Sequence, residues 1–409
     1  MLLSYFKIAW KVLMRRKFFT AINLFGVSFT LMILLVVMAL FDHALGPNNP
    51  ERRTDRLLYV QTIRQQMQDG MGWMNMPASP HFVNSFVRTL KTPEQVGMIS
   101  NIGNATAFTK NGLLPLDVRY ADGEFWQMMD FEFLGGRAFT PAEVKQSQPL
   151  CVINEATARQ YFGRTDVVGQ TLELDLHRYR VAGVVRNVSA ARIMTYSDVW
   201  LPYTLDPGLL RDNRIEGPYL TILLAPSAAA VPAVRREFDQ LMHRIEIPKP
   251  KEVKAIYAFA DSPLVSLTRA IHFDVNATRL EDDNLGTFYA VVITLGLLFM
   301  LLPALNLVNL NVTRILERSG EIGVRKALGA TAKQIRQQFL IEAIVICMLG
   351  GALGILLGIL CGNAVSLFVG SGTFLVPWLW MGLGFSICIT VGLLAGYYPA
   401  GKAAALDPI

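Results

Sequence analysis

The stretch ERSGEIGVRKALGATAKQIRQQFLIEA, residues 317–343, is charged and rich in small residues, yet it stands between two long apolar runs. Those runs decide the fold. Residues 285–310 carry no charge over 26 positions, and residues 343–369 carry none over 27. Two more uncharged runs cover residues 18–41 and 374–400. Each exceeds the roughly 20 residues a helix needs to cross a bilayer. The chain is 52% hydrophobic, too apolar for an ordinary water-soluble domain. The expectation is a membrane α-helical protein with four transmembrane helices. A large α+β domain is inserted between the first and second helices. Residues 1–41 are read as an amphipathic N-terminus plus the first span, 42–284 as an inserted domain of two subdomains, and 285–409 as the last three spans.

Charge orients the chain. Residues 1–41 hold five basic residues and no acid; residues 311–342 hold six basic residues and three acids; the tail adds Lys402 and Asp407. The remaining 26 basic and 28 acidic residues lie in 42–284. Basic residues flanking spans stay on the cytoplasmic side. Both termini and the 311–342 loop are therefore expected inside, and the inserted domain outside. The net charge of +6 then reflects topology, and nucleic acid is not an expected partner. The first run is longer than the roughly 7–15 residues of a secretory h-region, so it reads as an uncleaved anchor.

Several classes are excluded. None of the four runs contains Asp, Glu, Lys, Arg or His, whereas proton- and ion-coupled transporters keep ionisable groups at mid-membrane. Asn306 and Asn309 read as interhelical hydrogen-bonding groups, and Pro303 and Pro377 as kink sites. Cys151 is alone in the inserted domain, so no disulfide can form within it, and no zinc spacing or HExxH pattern occurs. GYYPAGKA, residues 396–403, matches GxxxxGK by spacing, but Ala403 lacks the magnesium-binding hydroxyl and Pro399 sits in the loop at the end of a span. No GxSxG pattern occurs. The chain is expected to be no enzyme, with no catalytic residue, bound cofactor or metal.

Inside residues 42–284, LCVINEATARQYFG reads as a strand followed by a helix capped by Asn154 and ending at Gly163. QTLELD alternates as a strand, and RYRVAGVVRNV reads as a strand bent at Gly183. YADGEFWQMMDFEFLGGRAFT gives a helix over 122–129, an extended segment and a Gly-Gly turn. Residues 61–80, rich in Gln, Met and Pro, read as loop. Residues 205–255 carry six prolines and resist ordering.

The opening stretch has internal logic. Residues 314–328 can form a helix in which Glu321 and Arg325 are spaced i,i+4 in the favourable order. Ser319, Gly320, Gly323 and Ala327 make a small-residue face against which another surface can sit. Gly329 suits a helix C-cap, and Thr331 with Gln334 forms a capping box opening the next helix. Topology alone would need only the basic residues. Further on, Gly350, Gly354, Gly358 and Gly362 recur every four residues, with Gly351 beside them. Such a strip serves intrachain helix packing or a dimer seam equally well.

The 317–343 stretch resembles the signature of the FtsX/MacB-like family of ABC transporter permeases. GYYPAGKAAALDPI at the C-terminus is similar to the family's closing pattern, although relatives more often carry consecutive Arg where Gly401 and Lys402 stand here. EFWQMMDFEFLGGRAFT, VINEATARQYFG and VVGQTLELDLHRYRVAGVV resemble parts of the MacB-type periplasmic core.

The resemblance implies a permease dimer, of two copies or of a copy and a paralogue, in a bacterial inner membrane. It implies a coupling helix at residues 314–330 that docks on a separate ABC ATPase, the partner that uses ATP and Mg. Glu317, Glu321, Arg325 and Lys326 are the expected polar contacts, with Gly320, Gly323 and Gly329 supplying geometry. ATP-driven motion would be relayed to the periplasmic domain, a mechanotransmission. Export with a periplasmic adaptor and an outer-membrane duct is the implied function. A transducer that activates a periplasmic enzyme, and a lipoprotein-extracting permease, stand as alternatives.

Overall fold

The computed structural model describes residues 14, 17–68, 72–109, 112–208, 213–247, 250–272, 278–317, 319–369 and 376–405. The expected amphipathic N-terminus up to residue 13 and the closing residues 406–409 lie outside them. The chain divides into two compact units, one of helices and one spanning Asp42–Gly286 together with Val369–Ser371.

Helix α1 (Lys17–Leu45) covers the first apolar run. The inserted domain follows, with strands β1 (Leu57–Val60), β2 (Ile63–Met67) and β3 (Trp73–Met76) and helix α2 (Pro80–Ser85). Next come β4 (Gln95–Ser100), β5 (Gly103–Thr109), β6 (Gly112–Ala121), α3 (Gly123–Met128), β7 (Phe133–Gly136) and α4 (Pro141–Lys145). Then follow β8 (Leu150–Asn154), α5 (Glu155–Phe162), β9 (Thr171–Leu174), β10 (His177–Val185), β11 (Val199–Pro202) and β12 (Tyr219–Leu224). The domain closes with α6 (Val231–Met242), β13 (Val253–Ala258) and α7 (Pro263–His272).

Ten strands form one mixed sheet in the order β1-β12-β4-β6-β11-β8-β10-β9-β5, with β7 on β10. β8–β10 and β6–β11 are parallel and the other pairs antiparallel. β5 also pairs with β6, closing a ring from β6 round to β5. An apolar cluster around Leu116, Ile153, Leu172, Val181 and Val199 is built from the ring strands. A second cluster is built on Trp126 and Trp200, and a third on Phe82, Tyr219 and Phe238.

Local signals set several of these elements. The Asn154 side chain accepts from Thr157 N, and Gly163 closes α5 in the left-handed region at φ 73°. The β8–β10 register shifts between Val181 and Gly183, where a Cβ on Gly183 would meet Arg137 O at 2.6 Å. Glycine permits that close approach.

One reading is corrected and one stretch left unordered is filled in. Residues 61–80 are not simply loop, because β2 and β3 pair with β13 in a separate three-stranded sheet. Burial of Ile63 and Gln65 against a strand distant in sequence overrides their loop-like composition. The 205–255 stretch carries β12, α6 and the start of β13, with Pro232 in the first turn of α6, where no donor is needed.

After the domain come α8 (Leu285–Glu317), α9 (Ser319–Ala327), α10 (Ala332–Val369) and α11 (Trp378–Ala405). α1, α8, α10 and α11 are long and apolar enough to cross a membrane. Pro303 lies within α8, whereas Pro377 precedes α11 and so kinks nothing. Pro399 lies inside α11, which runs on to Ala405 and does not end at the proline.

Candidate partner-docking site

The 317–343 stretch folds as a helix, a stop and a second helix. α9 ends in a Schellman arrangement: Gly329 N donates to Lys326 O at 3.0 Å and Ala330 N to Arg325 O at 3.0 Å. Gly329 has φ +92°, which a glycine adopts without steric cost. Two residues on, Thr331 N donates to Gln334 Oε1 at 2.9 Å and Gln334 N to Thr331 Oγ1 at 3.3 Å. This reciprocal capping box starts α10.

One face of α9 is buried. Ile322 packs in a cluster with Ile315 of α8, Ile335 and Phe339 of α10, and Ala400 and Ala403 of α11. Polar ties reinforce this. Arg325 Nη1 donates to Gln338 Oε1 at 2.6 Å, and Gln338 Nε2 donates to Glu342 Oε1 at 3.1 Å, the last two side chains being buried. Lys326 Nζ donates to the Ala404 carbonyl at 2.9 Å. Charge-assisted bonds of this kind hold α9 on α10 and α11.

The other face is open. Gly320, Glu321, Val324, Ala327 and Leu328 are exposed, spaced as neighbours on one stripe of a helix. Val324 is 61% and Leu328 83% exposed. Large apolar side chains so exposed, beside small residues, suit contact with a partner.

The expected site residues are therefore distributed differently. Glu317 is exposed at the end of α8, and α9 is described from Ser319, residue 318 lying outside the described residues. The small-residue face does not hold together, since Gly323 is buried while Gly320 and Ala327 are exposed. Arg325 and Lys326 turn inward, because each finds an acceptor on the neighbouring helices. Arg325 thus bonds Gln338, thirteen residues on, besides standing one turn from Glu321. Val324 and Leu328 were not among the expected contacts. Their i,i+4 spacing was visible, but Ile322 offered an equally apolar candidate, and only packing shows which side faces inward.

The glycine strip seats the chain's own first helix. A Cβ on Gly350 would meet Val27 at 2.8 Å, and one on Gly354 would meet Ser28 O at 2.9 Å and Leu31 at 3.0 Å. Gly358 faces Leu35, Gly351 faces Phe385 of α11, and Gly362 is buried. Two glycines of α11 do the same for α10: Cβ atoms on Gly392 and Gly396 would come within 2.8 Å of Cys347 Sγ and Ala343 Cβ. Small residues let these helix backbones approach closely. Among the described residues, the four cysteines are free and no cluster of three or more His, Cys, Asp or Glu could hold a metal ion.

Comparison with known proteins covers both units. A MacB-like periplasmic core domain matches residues 20–241, and an FtsX-like permease C-terminal domain matches residues 293–408. The "Macrolide export ATP-binding/permease protein MacB" of Burkholderia thailandensis is 24% identical over 99% of this chain and 59% of its own length. The protein of the same name from Sodalis glossinidius is 29% identical over 73% of this chain and 44% of its own length. This chain thus spans about three fifths or less of these curated relatives. Among solved structures, the periplasmic region of MacB from Actinobacillus actinomycetemcomitans covers 55% of the chain with TM-score 0.37 and 14% identity. A domain of a permease protein from Porphyromonas gingivalis covers 51% with TM-score 0.40 and 16% identity.

Proposed function

This chain belongs to the MacB/FtsX-like family of ABC transporter permeases, and we propose that it is the permease subunit of a complex whose ATP hydrolysis lies on a separate ATPase subunit. The exposed stripe of α9 carries this reading. It presents Val324, Ala327 and Leu328 beside Gly320 and Glu321, on a helix tied by Arg325 and Lys326 to α10 and α11. A partner pressing on this stripe acts on a braced element, so displacement passes into the two long helices.

In this reading the termini and α9 lie in the cytoplasm of a bacterium, and the inserted domain is periplasmic. Two permease chains act together. ATP and Mg are used by the partner ATPase, and the power is spent on the periplasmic domain, exporting a substrate with an adaptor and an outer-membrane channel. The relatives' printed name supports export.

Affinity purification from crosslinked native membranes tests this, comparing the unmodified chain with the Val324→Asp, Leu328→Asp double variant. An ATP-binding cassette ATPase should accompany the first and be depleted from the second. Equal recovery from both, or no ATPase from either, overturns the reading.

A further inference from the structure

Helix α11 carries its own measure of where a bilayer lies. Trp378 is 81% exposed at one end, and Tyr397 and Tyr398 are 64% and 57% exposed near the other. They stand nineteen and twenty residues on from Trp378, about 30 Å of helix. That is the thickness of a hydrocarbon core, and exposed Trp and Tyr collect at its two boundaries. The exposed hydroxyls between them are satisfied within the helix: Ser386 Oγ donates to Gly382 O at 2.8 Å and Thr390 Oγ1 to Ser386 O at 3.0 Å. A lipid-facing surface demands this. Ala400 and Ala403 pack with Ile322 of α9, so the two tyrosines mark the boundary on the α9 side.

Cations gather just beyond that boundary. Lys402 stands one turn after Tyr398, and its Nζ lies 5.5 Å from the Tyr398 ring centroid. The ammonium thus leans back toward the boundary from about 6 Å outside it, which is the headgroup layer. Helix α10 brings two more. It packs antiparallel to α11: a Cβ on Gly396 would meet Ala343 Cβ at 2.8 Å, and one on Gly392 would meet Cys347 Sγ at 2.8 Å. Arg336 stands seven residues before Ala343, and Lys402 six after Gly396. Both lie about 9–10 Å along their helices in the same direction. Lys333 is one turn further out. Lys333 and Arg336 are exposed on the side of α10 opposite buried Ile335, Gln338 and Phe339.

These three differ from the basic residues beside them. Arg325 and Lys326 turn inward onto Gln338 and the Ala404 carbonyl. Among the described residues, Lys333, Arg336 and Lys402 make no ion pair and no hydrogen bond. Glu342 is buried and bonded to Gln338, and Glu317 and Glu321 belong to α8 and α9. Outward cations with no acid of their own are matched by an anion from outside the chain. The depth selects its kind. Leu394, 71% exposed one turn inside Tyr398, offers an acyl chain its surface, and the phosphate of that lipid stands where Lys402 leans.

We propose that the α9-side ends of α10 and α11 form a seat for anionic phospholipid, in which Lys402, Arg336 and Lys333 hold the headgroup and Tyr397 and Tyr398 set its depth. Long basic side chains suit this, because their stems lie along apolar surface while the charge reaches the phosphates. The seat pins the two helices to which α9 is tied by Arg325 and Lys326. The anionic lipid content of the membrane then governs how firmly the support of α9 is held. The seat stands whether or not α9 docks on an ATPase.

Lipid retention by the full chain tests it. The chain is reconstituted in vesicles of phosphatidylglycerol and phosphatidylcholine in equal parts, extracted gently, and its retained lipids are counted by native mass spectrometry. Each cation at an anionic surface adds about a fivefold preference, so the unmodified chain should retain phosphatidylglycerol over phosphatidylcholine by at least about tenfold. Lys402→Gln should lower that ratio by about fivefold, and the Lys333→Gln, Arg336→Gln, Lys402→Gln chain should approach equality. Lys402→Arg should keep the preference. All three side chains are exposed, so these variants keep the fold. Equal retention of the two lipids by the unmodified chain overturns the seat; photocrosslinks from position 336 to a protein would then give this face to a partner chain. A preference that survives in the triple variant also overturns it, because the anionic lipid is then held elsewhere.

Discussion

The α9 joint and the buried network of Glu51, Arg192 and Thr195, in which the Glu51 carboxylate accepts from Arg192 Nη1 at 3.4 Å and from Thr195 Oγ1 at 2.7 Å, are both held by polar contacts, yet they are built oppositely. The joint is assembled from neighbours: its capping box spans three residues and its Arg325–Gln338 tie thirteen. The network bridges 141 residues between Glu51 and Arg192, and 144 between Glu51 and Thr195. One is stiff because each local choice agrees with the next. The other is stiff because charges are buried where only their partners can satisfy them.

If that contrast is right, the network should be the costlier one to break. Arg192→Ala should destabilise the domain by about 3–5 kcal/mol, since it leaves Glu51 buried and short of a partner. A lowered apparent melting temperature of the chain in micelles would show it; a change within error would mean that the network adds no net stability. The joint should instead lose function without losing fold. Val324→Asp with Leu328→Asp should weaken association with the ATPase by at least about tenfold, as a disrupted interface centre does. Both side chains are exposed, so the melting temperature should stay put.

Smaller effects sharpen the contrast. Gly329→Ala forces a left-handed residue with a Cβ and should cost about 1–2 kcal/mol, while Gly320→Ala, with nothing near its Cβ position, should be neutral or slightly stabilising. Equal effects would mean that the stop between α9 and α10 is unimportant. Smallest is the α4 cap, where Thr140 and Glu143 cap each other. The hydrogen bond from Arg137, helped by Thr140, holds Glu143 at a pKa of about 2 against its ordinary 4.5. Its folded pKa is depressed, so its stabilisation is full above pH 4.5 and is lost as pH falls towards 2. Glu143→Gln should flatten the acid limb of a stability–pH curve over that window.

Legibility in the sequence followed the same division. Uncharged runs announced the four long helices, and Asn154, Gly163, Gly329 and Thr331 with Gln334 announced caps that exist. These are signals read within a few residues. The β2–β3–β13 sheet was illegible because β13 joins the β2–β3 pair from the far end of the domain, and Gln65 is buried without an apolar pattern to mark it. At the joint, the residue types pointed to a docking helix, but sidedness did not follow. Arg325 and Lys326 look like free contacts until Gln338 and the Ala404 carbonyl are placed beside them. Likewise the four-residue glycine period allowed two uses, and the packing of Val27, Ser28 and Leu31 assigns Gly350 and Gly354 to the first helix.

The sidedness of α9 is the point on which the account turns. A photocrosslinking residue placed at position 328, then 324, then 322 reads it directly in native membranes. The account predicts crosslinks to an ATP-binding cassette ATPase from 328 and 324, and only intrachain products from 322, which is buried against α10 and α11. ATPase crosslinks from 322 with none from 324 or 328 would contradict it.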